Sequence, residues 1–200
     1  MNLIFASNNK GKITEIQSLI PAEITVTSMK DAGIDAEIPE PFYTFRDNAK
    51  AKADYIKNRT GQNCFSEDSG LIVPALNGEP GVFSARYAGE PSNDDNNNRK
   101  LLTEIQKVTD KRAHYKSVIC LLLNDEIHYF EGKCEGHITD APKGNGGFGY
   151  DPLFVPEGYG QTFGELPLEI KNTLSHRGKA MKLFTEFLHK YIAEEKRHIF

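Results

Sequence analysis

The sequence predicts an α/β fold built around a mixed β-sheet, and two observations carry this prediction. Segments with helical apolar spacing alternate along the 200 residues with short apolar runs that are typical of buried strands. In the middle of the chain, residues 114–123 and 126–137 flank Asn124-Asp125 and predict a hairpin. Helical crossovers and a hairpin in one chain indicate a mixed sheet. We find no repeat, low-complexity tract or clear linker, so residues 1–200 are expected to form one domain.

The N-terminal quarter is predicted to contain a strand and two helices. Residues 3–6 form an apolar run, and a helix follows the polar segment 7–11. Residues 31–43 contain two prolines and are predicted to be a loop. A second helix is expected to begin after Thr44, which can cap it, and to end at Gly61.

The central and C-terminal parts contribute further strands and helices. Residues 63–65 and 71–73 are predicted to be strand, interrupted by an acidic turn at residues 66–70. A third helix is expected over residues 94–108. The longest helix is expected to begin at Ser175 and to continue into the C-terminal region.

Composition excludes several classes of protein. The net charge of −4 argues against a nucleic-acid-binding protein, which needs a basic surface. No apolar run is long enough to cross a membrane, and the N-terminus does not resemble a signal peptide. Cys64, Cys120 and Cys134 lack CxxC spacing and indicate reduced thiols, so we expect a cytoplasmic protein.

The first candidate site is the polar segment between the first strand and the first helix. Free N–H groups at a helix N-terminus attract phosphate, and lysine adds positive charge. The alternative is an ordinary polar connection, because the segment is not a Walker loop. Its residues are Ser7, Asn8, Asn9, Lys10, Gly11 and Lys12.

The second candidate is the acidic motif Glu67-Asp68-Ser69-Gly70. Adjacent strand residues point to opposite faces, so only one of Glu67 and Asp68 is expected to face a given site. A carboxylate there could bind Mg²⁺ or act as a general base. The alternative is a solvated turn.

Three further segments contain candidate residues. Phe148 follows a glycine-rich stretch and could stack on a base, with Asp151 setting the orientation, although such aromatics could also pack onto the core. His176 and Arg177 follow the cap residue Ser175, where cations oppose the helix dipole unless they have another role. Arg86 could equally bind phosphate or fix a loop.

Taken in order, these segments resemble the inosine/xanthosine triphosphate pyrophosphatase family throughout the chain. Six stretches carry the resemblance, and a chance match to all of them is not credible. They are residues 7–12 (SNNKGK), 44–49 (TFRDNA), 67–71 (EDSGL), 80–89 (PGVFSARYAG), 146–152 (GGFGYDP) and 175–180 (SHRGKA).

The resemblance implies an elongated mixed sheet with flanking helices, two lobes around a central nucleotide-binding cleft, and usually a homodimer. It implies hydrolysis of ITP, dITP and XTP between the α and β phosphates, with Mg²⁺ as cofactor. Selectivity is expected to depend on the purine 6-oxo group. Two rival functions are a pyrophosphatase for another nucleotide, such as a pyrimidine triphosphate, and a nucleotide-binding module without catalysis.

The resemblance also implies roles for individual residues. Asp68 would activate water and bind the metal, Ser69 would bind substrate, and residues 7–12 would contact phosphate. The nucleotide would be held by Phe148, Gly149, Tyr150, Asp151, Lys171, His176 and Arg177.

Three positions depart from the family pattern. Asn8 stands where the family often has glycine, and Glu67 replaces a frequent aspartate. The acidic pair before the second helix is here Pro39-Glu40, so either Glu40 or Glu37 would be the second metal ligand.

Overall fold

A six-stranded mixed sheet organises the chain and confirms the predicted α/β class. The computed structural model describes residues 1–198, and the sheet order is β2-β1-β3-β4-β5-β6. The strands are β1 (Asn2–Phe5), β2 (Thr25–Ser28), β3 (Cys64–Ile72), β4 (Arg112–Leu123), β5 (Glu126–Ile138) and β6 (Phe154–Pro156). The helices are α1 (Lys10–Leu19), α2 (Phe45–Thr60), α3 (Asp94–Ile105), α4 (Leu168–Leu174) and α5 (His176–His198), with short 3₁₀ helices at Pro74–Leu76 and Gly81–Arg86.

The sheet combines a parallel half with an antiparallel half. Strand β1 runs parallel to β2 and β3, whereas β3, β4, β5 and β6 pair antiparallel in succession. The β1–β3 register contains only the pairs Ile4↔Cys64 and Phe5↔Phe65, whereas β4 and β5 pair along almost their whole length. The polar loop after β1 therefore lies beside the middle of β3.

Local capping and turn signals formed as predicted. The Thr44 hydroxyl accepts a hydrogen bond from the Asp47 amide at 3.0 Å, and Gly61 ends α2 in the left-handed region at φ 66°. Asn124 and Asp125 both have positive φ, as a two-residue hairpin turn requires.

The predicted acidic turn at residues 66–70 is wrong, because β3 is continuous from Cys64 to Ile72. All five of these residues pair with β4; Asp68, for example, lies opposite Val118. The acidic side chains are stabilised there by cations that are distant in sequence, so local composition gave no sign of a strand. Helix α3 also ends at Ile105, three residues before the predicted end at residue 108.

Helices cover both faces of the sheet. On one face, α5 packs Ala180 and Phe184 against apolar strand residues that include Phe65. On the other face, α2 packs Ala49 and Ala53 against alternate strand residues. The three cysteines are buried free thiols, as expected. Within residues 1–198, no helix is long and apolar enough to cross a membrane.

Candidate active site

A cleft of about 580 Å³ collects most of the candidate residues. Its walls come from the loop after β1, the loop before α2, β3, the second 3₁₀ helix, the loop at residues 148–151 and the start of α5. This volume lies within the usual range for a small-molecule site. The candidate residues that line it are Ser7, Asn8, Asn9, Lys12, Glu37, Glu40, Asp68, Ser69, Arg86, Phe148, Gly149, Tyr150, Asp151, Lys171, His176 and Arg177.

Two residues of the polar segment do not line the cleft. Lys10 is exposed at the first position of α1. Gly11 lies beneath the Phe148 ring, and a β-carbon at this position would come within 2.5 Å of that ring. Gly11 therefore allows the loop at residues 148–151 to close onto α1.

The N-terminus of α1 forms one end of the cleft. Asn9 caps the helix, and its side-chain oxygen accepts from the Lys12 amide at 3.1 Å. The Asn8 side chain donates to the Ala36 carbonyl at 3.2 Å, which ties this loop to the one that leads to Glu40. The Lys12 ammonium lies 2.8 Å from Glu67.

An acidic centre forms where β3 meets α2 and the preceding loop. Lys52 contacts the Glu40 carboxylate and lies 3.4 Å from Asp68 Oδ1. Arg86 lies 3.5 Å from Glu40 and also donates to its backbone carbonyl. Glu40 thus reaches the same lysine as Asp68, whereas Glu37 is exposed on the cleft wall.

The pKa values of the two carboxylates of this centre shift in opposite directions. Burial raises the pKa of Asp68, although Lys52 and Lys12 act in the opposite direction. Burial also opposes ionisation of Glu40, but there Lys52, Lys12 and Arg86 together outweigh burial and lower the pKa. Asp68 is therefore a better proton acceptor than an exposed aspartate, whereas the cations favour the ionised form of Glu40.

The donor set fits a hard divalent cation that completes its shell with substrate. Asp68 Oδ2 is buried and has no hydrogen-bond partner within the described chain, so its lone pairs are available. No group of three or more His, Cys, Asp or Glu residues among residues 1–198 forms a metal site by itself. One or two carboxylates plus phosphate oxygens is the arrangement that Mg²⁺ commonly adopts.

A second part of the cleft wall is aromatic. The Phe148 ring lies 5.1 Å from the Lys171 ammonium and 5.4 Å from the Arg177 guanidinium. The His176 ring stacks on Tyr115 with centroids 4.5 Å apart and an interplanar angle of 8°. Burial and nearby cations lower the pKa of His176 well below its usual value, so this imidazole is neutral.

Asp151 fixes the loop that carries Phe148. Its Oδ2 accepts from the Phe148 amide at 3.0 Å and from Lys171 at 2.6 Å. Its Oδ1 has only a long contact of 3.4 Å with the Tyr115 hydroxyl. One carboxylate oxygen therefore retains capacity to accept a hydrogen bond from a ligand.

Arg177 is more constrained than the sequence indicated. Its guanidinium contacts Glu15, lies 3.2 Å from Glu67 and donates to the Ser69 hydroxyl at 3.1 Å. Only Nε lacks a partner within the described residues. These carboxylates explain why a cation is stable at this helix start, and they leave few donors free for a base.

Sequence reasoning missed two charged residues that support the site. Lys52 lies on the inner face of α2 between Ala49 and Ala53, so a charge within an apolar stripe was the available signal. Glu15 is buried on α1 beside Ile16 and contacts both Lys171 and Arg177. Lys52 is a buried cation and Glu15 a buried anion, and each needs a partner of opposite charge. Buried, paired charges of this kind are often found in functional regions.

The fold and the cleft define an α/β protein whose ligand site combines buried carboxylates and cations beside β3 with an aromatic ring and hydrogen-bonding groups in the loop at residues 148–151 and at the start of α5. The chain belongs to the Ham1 family, whose model matches residues 3–187.

Similar proteins share almost the full length of the chain. A dITP/XTP pyrophosphatase of Flavobacterium psychrophilum is 51% identical over 94% of this chain and 98% of its own length. One from Flavobacterium johnsoniae is 50% identical, with the same coverage of both chains. The structure of the Staphylococcus aureus Ham1 protein has a TM-score of 0.86 and 38% identity, covering 96% of this chain and 100% of its own. The structure of a HAM1 protein from Coxiella burnetii has a TM-score of 0.87 and 35% identity, covering 95% of this chain and 99% of its own.

Proposed function

We propose that this chain hydrolyses the non-standard purine nucleotides dITP, ITP and XTP to the monophosphate and pyrophosphate, thereby cleansing the nucleotide pool. The observation that carries the proposal is the buried Asp68 Oδ2, which has no hydrogen-bond partner among residues 1–198, in a cleft lined by cations. The relatives named dITP/XTP pyrophosphatase support the same reaction.

The phosphate end is built to neutralise charge. Lys12, Lys52 and Arg86 all line the cleft near the acidic centre, and a triphosphate carries several negative charges. Catalysis of phosphoryl chemistry depends mainly on positioning and electrostatic stabilisation, and these side chains supply both. We expect the Ser7 to Asn9 segment to contact phosphate oxygens as well.

Asp68 is proposed to take a proton from the water that attacks the α-phosphorus. Its pKa is raised by burial, which makes the carboxylate a better proton acceptor than an exposed aspartate. Bound Mg²⁺, held by Asp68 and Glu40, would supply charge stabilisation for the leaving pyrophosphate. Lys52, between these two carboxylates, keeps both in place.

Base selection is proposed to occur between Phe148, His176 and Asp151. Phe148 can stack on the purine, while neutral His176 has a buried Nδ1 without a partner in the described residues. A 6-oxo purine presents an acceptor at the position where adenine presents a donor, so a mismatch leaves buried groups unpaired. Each such group costs about 1–3 kcal/mol.

A substrate panel tests the proposal. Pyrophosphate release is measured from dITP, ITP, XTP, GTP, ATP and UTP, with and without Mg²⁺. We expect the first three to be hydrolysed with the highest kcat/KM, and only with the metal. Preference for UTP would favour the pyrimidine alternative, and binding without turnover would favour a nucleotide-binding module.

We further propose that the active form is a homodimer, as the family resemblance implies, and that it is cytoplasmic, as the three reduced cysteines suggest. Sedimentation equilibrium at micromolar concentration should give twice the 22.4 kDa chain mass. A monomer with full activity would contradict this part of the proposal without affecting the proposed reaction.

A further inference from the structure

Five buried charges and the partly buried Lys12 alternate in sign between the start of α1 and the loop at residues 148–151. The Lys12 ammonium lies 2.8 Å from Glu67, and Glu67 lies 3.2 Å from Arg177. Arg177 contacts Glu15, Glu15 contacts Lys171, and Lys171 lies 2.6 Å from Asp151. We call the set Lys12, Glu67, Arg177, Glu15, Lys171 and Asp151 the charge chain.

The charge chain is internally neutral and almost free of solvent. Lys12 is 15% exposed at its side chain, and the other five are at most 6% exposed. Water therefore screens these interactions weakly, and a displacement of one charge changes the energy of its neighbours. The members come from α1, β3, α4, α5 and the loop at residue 151, so the chain joins separate elements.

Glu67 links Lys12 to Arg177 and, through Arg177, to the rest of the charge chain. Its Oε1 accepts from the Ser117 hydroxyl at 2.7 Å and faces Arg177, whereas its Oε2 faces Lys12. Glu67 is not among the residues that line the cleft, whereas Lys12 and Arg177, which it contacts, both line it. Its influence on a nucleotide would therefore pass through these two cations.

We propose that Glu67 is a positioning residue that couples occupancy of the base end to the placement of Lys12 at the phosphate end. A purine that engages Asp151 and the Arg177 region would fix the far end of the charge chain. Glu67 would then hold Lys12 in its phosphate-binding position. Discrimination against a wrong base would thus weaken phosphate binding in addition to losing base contacts. This inference rests on the proposed function in one respect, namely that the ligands of the cleft are a purine base and a phosphate group.

Binding experiments with separate probes for each end test the coupling. Inosine occupies the base end, and pyrophosphate with Mg²⁺ occupies the phosphate end. In the wild type, calorimetry should show that saturating inosine tightens pyrophosphate binding by about fivefold or more, within the usual range for coupled sites. Adenosine, which lacks the 6-oxo group, is the matched ligand control and should change the affinity by less than about twofold.

The variants Glu67→Gln and Glu67→Asp separate charge from packing. Glu67→Gln should reduce the inosine effect below about twofold, whereas Glu67→Asp keeps the charge and should retain most of it. Glu15→Gln breaks the charge chain one link further along and should also lose the effect. It provides the comparison if Glu67→Gln does not fold.

Two results would overturn the proposal. One is a wild-type pyrophosphate affinity that inosine leaves unchanged. The other is full coupling in a folded Glu67→Gln or Glu15→Gln variant. Either result would leave the proposed reaction intact if the wild type still hydrolyses ITP and XTP, because turnover is measured separately.

Discussion

Asp68 is the residue on which the proposed chemistry depends most directly. Asp68→Asn keeps the shape of the side chain but removes its ability to accept a proton, and it weakens metal binding. We expect kcat for ITP to fall by about 10²–10⁴-fold, the usual contribution of a general base. Steady-state kinetics on a variant with an unchanged circular dichroism spectrum provides the measurement. Near-wild-type kcat would exclude Asp68 as the base.

The two candidate metal carboxylates can be separated by a matched pair of variants. Glu40 shares Lys52 with Asp68, whereas Glu37 is exposed and makes no comparable contact. We therefore expect Glu40→Gln to raise the Mg²⁺ concentration for half-maximal activity, and Glu37→Gln to leave it nearly unchanged. Titration of activity against Mg²⁺ for both variants gives the answer. The opposite pattern would assign the ligand to Glu37.

At the scale of elements, the packing of α5 on the sheet positions His176 and Arg177, which line the cleft. A β-carbon at Gly132 on β5 would lie 2.0 Å from the His176 carbonyl oxygen and 2.6 Å from the Ala180 amide nitrogen. Since both neighbours are backbone atoms, the helix would have to move away from the sheet. We expect Gly132→Ala to lower the free energy of unfolding by about 1–3 kcal/mol and to raise KM for ITP.

Gly160→Ala is the control for that substitution. No atom lies within 4 Å of a β-carbon at Gly160, and this residue has no positive φ. Its unfolding free energy should change by less than about 0.5 kcal/mol, as expected for a surface position. Urea denaturation of both variants measures the difference. Equal effects would show that α5 does not depend on close contact at Gly132.

The elements that sequence patterns predicted are those with local determinants. The α2 boundaries follow from Thr44 and Gly61, and the hairpin follows from Asn124-Asp125, because each signal is contained in a few adjacent residues. Strand β2 has the same length as the predicted β1, but it was missed because Thr25–Ser28 contains a single apolar residue, whereas β1 is an apolar run. Strand β6, with three residues, and helix α4, with seven, are too short to show a period.

The candidate site was predictable where its residues lie together in a short sequence motif. The polar segment, Asp68 and the Phe148 loop all reach the cleft. The continuity of β3 and the partners of Arg177 were not predictable, because both depend on charges from elements far away in the chain. Lys52 and Glu15 belong to the same class, since only the tertiary structure shows what neutralises them.

For the whole molecule, the buried neutral His176 predicts a loss of stability in acid. Its pKa is lowered in the folded state, so below the unfolded value of about 6.5 the unfolded chain binds a proton that the native state does not. The stability contribution is therefore present above that pH and is lost as the pH falls. The limiting slope is about 1.4 kcal/mol per pH unit for one proton.

His176→Phe preserves the ring that stacks on Tyr115 but cannot titrate. We expect its free energy of unfolding to depend less steeply on pH between 7 and 5.5 than that of the wild type. Urea denaturation at several pH values measures this dependence. Identical slopes would mean that the pKa of His176 does not differ between the folded and unfolded states.

The unequal strand pairing also implies an order in which the molecule opens. Strands β4 and β5 are joined by twelve residue pairs across a two-residue turn, whereas β1 meets β3 through two pairs and carries the loop that leads into α1. Amide hydrogens of the hairpin should exchange only on global unfolding, and those of β1 through cheaper local openings. Such an opening would carry Ser7 to Lys12 away while Asp68 stays in the sheet. With the proposed roles, the locally opened molecule would keep its general base but lose its phosphate contacts, and it would not bind substrate in that state.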